Sequence, residues 1–291
     1  MESYTITKTI TNKTKNEDFF IQVKNTTLRC NGFILGDGIG SHYLPDEGSK
    51  FCVEALKKLI EECTLIENLN FDLLYSKVYE SIKLKFDTPE ENTKAINPKE
   101  SYGTTLICVL EFQDEFIMAY LGNGSIWHLR GDFTNFSKQR YLPWNAINLL
   151  NPHTVEENGK EALYKFIALE ASGNQIKPSV IKIQKDNDYF GDLIIASTDG
   201  LHSNDQIPVA KDREGNIWIS GEKKMELLFE LLKKTTQTTH LAIDDLEKGL
   251  DDFLEDIESR KIIDDDTTIG LIISEKALSY QKSINESNSS K

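Results

Sequence analysis

Carboxylates in this chain stand at the ends of apolar runs, and that is where chemistry could be done. Phe33-Ile34-Leu35-Gly36 runs into Asp37-Gly38, and Leu193-Ile194-Ile195-Ala196-Ser197-Thr198 runs into Asp199-Gly200. Two other runs begin in the mirror sense. Glu17-Asp18 precedes Phe19-Phe20-Ile21-Gln22-Val23, and Asp264-Asp265-Asp266 precedes Thr267-Thr268-Ile269-Gly270-Leu271-Ile272-Ile273. In an antiparallel pair the end of one strand lies beside the start of its neighbour. Pairing 19–23 with 32–36 would bring Glu17, Asp18 and Asp37 to one rim. Pairing 192–197 with 267–274 would do the same for Asp199 and Asp265. Two sheets packed face to face would then unite both groups. Two unit charges about 4 Å apart cost about 4 kcal/mol at an effective dielectric of about 20, so such carboxylates must raise their pKa values or take up cations. Ligation by oxygen alone suits hard ions such as magnesium and manganese, not zinc. Asp-Gly is also an ordinary turn dipeptide, and four unrelated turns would account for the same clusters.

The elements that must position these residues follow from periodicity. Strands are expected at 4–10, 19–23, 32–36, 104–112, 115–121, 125–130, 179–184, 192–197 and 267–274. Gln113-Asp114 and the stretch Gly122 to Gly124 read as tight turns, so successive strands pair antiparallel. Helical faces are marked by Cys52, Leu56, Leu59, Ile60 and Cys63, by Leu74, Val78 and Ile82, and by Leu246, Leu250, Phe253, Leu254 and Ile257. The last of these helices carries Asp244, Asp245, Asp251, Asp252, Glu255 and Asp256, a solvated acidic face. The fold class expected is α+β, a four-layer α/β/β/α sandwich of two antiparallel sheets flanked by helices. One domain is expected over 1–274, and 275–291, rich in Ser, Asn and Lys, reads as a flexible polar tail.

Composition narrows the function classes. Among 291 residues, 33 Lys and Arg face 47 Asp and Glu, a formal net charge of −14. Such a surface repels phosphate backbones and anionic lipid, which argues against nucleic acid and membrane as partners. No apolar run approaches membrane-spanning length, and residues 1–12 lack the pattern of a secretory signal, so the expected location is the cytoplasm. Cys30, Cys52, Cys63 and Cys108 form no Cys-x-x-Cys pair and read as buried free thiols of a reducing compartment.

Six short motifs come in a telling order. They are Asn16-Glu17-Asp18, Leu35-Gly36-Asp37-Gly38-Ile39-Gly40, Tyr102-Gly103-Thr104-Thr105, Leu121-Gly122-Asn123-Gly124, Ala196-Ser197-Thr198-Asp199-Gly200-Leu201 and Asp265-Asp266-Thr267-Thr268. Together they make the chain resemble the metal-dependent protein phosphatase (protein phosphatase 2C) family, in its bacterial-type form. The resemblance implies two divalent cations, magnesium or manganese. Asp37 would bridge them, with the carbonyl of Gly38 on the second and Asp199 and Asp265 on the first. Glu17 and Asp18 would hold metal-bound waters. The implied reaction is hydrolysis of phosphoserine or phosphothreonine in proteins, by in-line attack of a water activated between two metals about 3.5–4 Å apart. A phosphorylated protein is then the substrate, and a cognate Ser/Thr kinase the partner to look for.

Three positions depart from the family pattern. The phosphate-gripping arginine four residues before the first glutamate is replaced by Lys13, a point charge where a guanidinium would offer a fork. Asn123 and Ser203 stand where acidic residues hold a third metal, so a two-metal enzyme is expected. Where some members carry a histidine, Ile39 stands here, as an apolar residue commonly does in bacterial-type members. His42, slightly later, is together with Lys13 a candidate for substrate binding, the other reading being a half-exposed loop histidine. An alternative remains of another class, a catalytically weak phosphatase-like regulator that binds a phosphoprotein or kinase. A second alternative keeps the metals and hydrolyses a small phosphate ester or nucleotide.

Overall fold

The structure is a computed structural model that describes residues 3–11, 13–92, 100–132, 145–157, 160–201, 210–211, 217–218, 221–236, 243–260, 262–263 and 265–289. The chain divides into two compact units, each assembled from separated stretches. One comprises residues 14–123 and 150–184, and the other 1–13, 124–149 and 185–291.

The first unit is built on a five-stranded antiparallel sheet in the order β10-β5-β4-β3-β2. Its strands are β2 (Asp18–Asn25), β3 (Cys30–Asp37), β4 (Leu106–Glu111), β5 (Glu115–Leu121) and β10 (Ser179–Gln184). Three helices join it: α1 (Pro45–Glu61), α2 (Phe71–Phe86) and the short α3 (Pro89–Asn92). A small hairpin of β8 (Thr154–Glu157) and β9 (Lys160–Leu163) completes the unit. Val53, Leu56 and Ile60 of α1 and Leu74, Val78 and Ile82 of α2 are buried with Ile34, Leu106, Cys108 and Leu110 of the sheet. Helix α1 carries a proline in its first turn, Asp46 and Glu47 beside its positive end and Lys58 in its last turn, all favourable placements. Its end is met by the side chain of Asn25, whose Nδ2 donates to Ile60 O in the last turn and to Cys63 O just beyond the helix, at 2.8 Å each. That pins the helix end to the far end of β2, since orphan carbonyls need such partners. Asn70 caps α2 by accepting the N–H of Leu73.

The second unit has its own five-stranded antiparallel sheet, β1-β14-β11-β6-β7. The strands are β1 (Ser3–Ile10), β6 (Ser125–Arg130), β7 (Ala146–Asn148), β11 (Asp192–Ser197) and β14 (Thr267–Ser274). Helices α4 (Gly221–Thr236), α5 (Ile243–Ser259) and α6 (Glu275–Ser289) accompany it, with a two-residue pairing of β12 (Ala210–Lys211) and β13 (Ile217–Trp218). Met225, Leu228 and Phe229 of α4 and Leu250, Phe253 and Ile257 of α5 share one core with Leu193, Ile195, Ile269 and Leu271. The acidic residues of α5 lie on its other face, as its amphipathic pattern requires.

The α+β class and the two antiparallel sheets accompanied by helices agree with the sequence expectation. The end of the chain does not. Residues 275–289, expected to be a flexible polar tail, form α6. Ser274 Oγ accepts the N–H of Ala277 and so caps the helix. Ala277, Leu278, Gln281 and Asn285 are buried. Gly191, at φ 71°, lets the helix backbone at Ala277 come close, where a Cβ would meet Ala277 N at 2.2 Å. All four cysteines are free and buried, as expected. Among the described residues, no helix is long and apolar enough to cross a membrane.

Candidate metal centre

In the first unit the hairpin of β2 and β3 places Asp18 directly opposite Asp37. Residues opposite one another in an antiparallel pair point to the same face, with Cβ atoms about 4.5–5.5 Å apart. Two carboxylates therefore stand side by side at the rim, as the sequence predicts. Glu17, one residue before the strand, is held by its own backbone. Its carbonyl accepts the N–H of Gly38 at 3.1 Å and the hydroxyl of Ser49 at 2.6 Å. The N–H of Asp18 donates to Asn16 Oδ1 at 2.9 Å. On the other strand the carbonyl of Asp37 accepts from Thr105 N–H at 2.8 Å and Thr104 Oγ1 at 2.9 Å, which explains why Gly103-Thr104-Thr105 belongs with the acidic motifs.

Gly38 leaves no room for a side chain at this rim. A Cβ there would lie 2.7 Å from both C and O of Pro45 and 2.8 Å from Glu17 O. All three are backbone atoms that cannot swing aside, so only glycine fits. Gly40 sits under the Glu17 carboxylate, whose Oε2 would be 3.2 Å from a Cβ at that position.

His42 lies on the loop that leads into α1. Its Nε2 faces Glu170 Oε1 at 3.4 Å, its ring stands edge-on to Phe166, and Gly103 packs against its Nδ1 face. Its side chain is 9% exposed. Burial lowers the pKa of this imidazole, with the nearby Glu100 opposing. Burial also pushes the Glu170 carboxyl up to about 7. The pair was not foreseen, because Glu170 belongs to no motif. Asn123 follows Gly122, which has φ 95° and no room for a Cβ beside Thr105. Ser203 and Asp264 lie outside the described residues.

In the second unit β11 and β14 pair antiparallel from Leu193↔Ile273 to Ser197↔Ile269. The ladder continues past the strand end. Thr198 N–H donates to Thr268 O at 3.0 Å, and Thr268 N–H to Thr198 Oγ1 at 2.9 Å. Asp199 and Asp265 therefore leave their strands at the same rim, again as the sequence predicts. Gly200 is pressed on the backbone of Asp266, where a Cβ would be 2.0 Å from the carbonyl oxygen. The buried Lys224 of α4 donates from Nζ to Gly200 O at 2.6 Å, so the Asp199 turn is clasped from both sides.

The neighbour of β14 on its other edge is β1, in a register that ends at Ile10↔Thr267. This brings Thr11 and Lys13 beside Asp265 and Asp266, a meeting that no local signal announces. Thr11 Oγ1 donates to Asp266 Oδ1, and Lys13 Nζ lies 2.6 Å from Asp265 Oδ1 and 3.5 Å from Asp266 Oδ2. Lys13, expected to grip phosphate, here reaches the carboxylate expected to bind metal.

Among the described residues, no group of three or more His, Cys, Asp or Glu side chains already stands in metal-holding geometry. Within each unit, taken by itself, the donors are nevertheless of the kind a hard divalent ion takes. They are all oxygen, Gly38 offers a backbone that no Cβ shields, and the Asp265–Asp266 pair already draws an ammonium to itself.

A family model described as protein phosphatase 2C matches residues 7–255. Asp265 and Asp266 follow that stretch. No curated protein matches the chain by sequence. Solved structures do match in fold. The S. agalactiae serine/threonine phosphatase is 16% identical with a TM-score of 0.63, covering 94% of this chain and 100% of its own. Serine/threonine phosphatase Stp1 from Staphylococcus aureus is 19% identical with a TM-score of 0.61, covering 94% and 95%. The catalytic domain of PstP, solved in complex with two manganese ions, is 15% identical with a TM-score of 0.56, covering 93% and 97%.

Proposed function

The chain belongs to the protein phosphatase 2C family, and from that membership we propose that it is a metal-dependent serine/threonine protein phosphatase. The observation that carries this reading is the register that sets Asp18 opposite Asp37 next to Gly38, where nothing larger than glycine fits. In this reading Asp37, the Gly38 carbonyl, Asp199 and Asp265 ligate two divalent cations, magnesium or manganese. Glu17 and Asp18 orient water around them. When bound, such a pair supplies Lewis acidity toward the phosphoryl oxygens and lowers the pKa of water. The chain's own residues do the rest. The backbone bonds to Glu17 O and Asp37 O hold the acidic rim still, and the clasp of Gly200 by Asp266 and Lys224 does the same for Asp199. Pre-organised charge of this kind is where the rate of phosphoryl transfer comes from. Lys13 supplies positive charge for the phosphate, and His42 shapes the loop that follows Gly38. Asn123 and Ser203 in place of acids favour two ions over three.

The substrate is a phosphorylated protein, and the chemistry of the site is indifferent to whether a kinase accompanies it. One observation favours the regulator as a second reading, the engagement of Lys13 with Asp265. The test is release of phosphate from a phosphothreonine peptide, with manganese or with chelator, by the wild type and by Asp199→Asn. Manganese-dependent release that the variant loses supports the enzyme. No release by the wild type overturns it in favour of the regulator, and release from nucleotides alone would move the substrate class.

A further inference from the structure

We propose that Lys13 is a built-in counter-ion of Asp265, which a divalent cation displaces, so that loading the carboxylates frees the ammonium for phosphate. The proposal rests on the metal-dependent reading above. It begins with how firmly the structure holds the pair. Lys13 follows β1 closely, and Asp265 shortly precedes β14. The antiparallel register of these strands sets the two segments side by side. Lys13 N–H donates to Thr11 Oγ1 at 3.0 Å, Thr11 Oγ1 donates to Asp266 Oδ1, and Asp266 N–H donates to Asp265 Oδ1 at 2.8 Å. Backbone and hydroxyl bonds thus place the root of the lysine and the head of the carboxylate before the ion pair closes.

The burial pattern assigns the roles. Asp266 is 1% exposed at its side chain and is bonded to Thr11, so it is the fixed anchor. Asp265 and Lys13 are 40% and 35% exposed, so an ion arriving from solvent can reach the former and the latter can swing away. A lysine, with a flexible four-carbon stem and a single compact charge, can release one oxygen and reach another anion; a bidentate arginine would be harder to dislodge. The same positive charge therefore does two things in turn. It blocks a half-formed metal site, and it becomes available once metal is present.

The test is a calorimetric titration of the full chain with manganese chloride alone, at low ionic strength. Lys13→Met binds manganese about two- to tenfold more tightly than the wild type, the range set by one partly exposed charge near a divalent ion. Lys13→Arg keeps the charge and does not bind more tightly. Lys8→Met, which removes a comparable exposed pair with Asp251 elsewhere on the same unit, leaves the affinity unchanged. A second titration with inorganic phosphate shows binding to the manganese-loaded wild type that is weakened in Lys13→Met. Equal or weaker manganese binding by Lys13→Met overturns the proposal while leaving the metal-dependent reading intact. Failure of every form to bind manganese overturns both. Binding by Lys13→Met alone would support the counter-ion role in its strongest form.

Discussion

Replacing Gly38 by alanine tests whether the acidic rim is built around a backbone contact. The new Cβ would meet C and O of Pro45 at 2.7 Å and Glu17 O at 2.8 Å, all inside ordinary van der Waals contact. Because these atoms belong to the first turn of α1 and to the entry of β2, relief requires moving one of those elements away from Asp37. Overpacking of this kind costs about 1–3 kcal/mol. At about 2–4 °C per kcal/mol for a chain of this size class, a cost of about 2 kcal/mol lowers the melting temperature by about 4–8 °C. Gly173→Ala is the matched control. Nothing lies within 4 Å of its Cβ, but φ is 54°, so it costs about 1–2 kcal/mol in backbone strain alone. Thermal melts with and without manganese separate the two. Ligand that binds only the folded state raises the melting temperature, so Gly173→Ala keeps the wild-type rise and Gly38→Ala loses most of it. A full manganese-induced rise in Gly38→Ala would refute the idea that this contact sets the site.

Three further outcomes follow from groups away from the rim. Burial holds the Glu170 carboxyl near 7, with the charge of Glu100 adding to the rise and a hydrogen bond from its own backbone opposing it. A raised carboxyl contributes stability that is present below the usual carboxylate range and lost as pH climbs toward 7. Glu170→Gln is therefore more stable than the wild type at pH 8 by about 1–2 kcal/mol after discounting for partial exposure, read in denaturant melts, with the gap closing by pH 5. Asp192 is fully buried; burial alone would raise its carboxyl, but bonds from His128, the Asp186 N–H and Arg130 outweigh it and hold the pKa below the ordinary value. Its stabilisation is present above the usual carboxylate range and lost on strong acidification, so Asp192→Asn destabilises by about 3 kcal/mol at pH 7 in denaturant melts and flattens the acid limb of the stability curve. A thiol reagent at pH 8 leaves the native cysteines almost unmodified and titrates all four in denaturant, because burial pushes Cys30 up to about 11 and raises Cys52, Cys63 and Cys108.

Where the sequence was legible, the reason was local. Asp37 and Asp199 end strongly apolar runs, Asp18 and Asp265 begin others, and antiparallel geometry then leaves little choice about which ends share a rim. The observed Asp18↔Asp37 register and the ladder through Thr198 and Thr268 follow that logic. What escaped was non-local or tertiary. Thr11 and Asp266 are 255 positions apart, and nothing in residues 4–10 says that β14 is their neighbour. The same pairing sets Lys13 on Asp265. Helix α4 carries a signal in Met225, Leu228, Phe229 and Leu232, buried and at helical spacing. Helix α6 carried almost none, since its polar composition resembles a tail; only a cap by Ser274 and packing around Ala277 and Leu278 make it a helix. The short β7, β8 and β9 have too few residues for a period to show.

Counting manganese ions in the loaded protein puts the central claim to the hardest trial. Equilibrium dialysis of the wild type, Asp37→Asn and Asp199→Asn, with electron paramagnetic resonance on the same samples, gives both stoichiometry and coupling. Two ions per chain in the wild type, magnetically coupled as a close pair, with coupling abolished by either substitution, is the result this account predicts. Two uncoupled ions, each lost to only one of the substitutions, would contradict it.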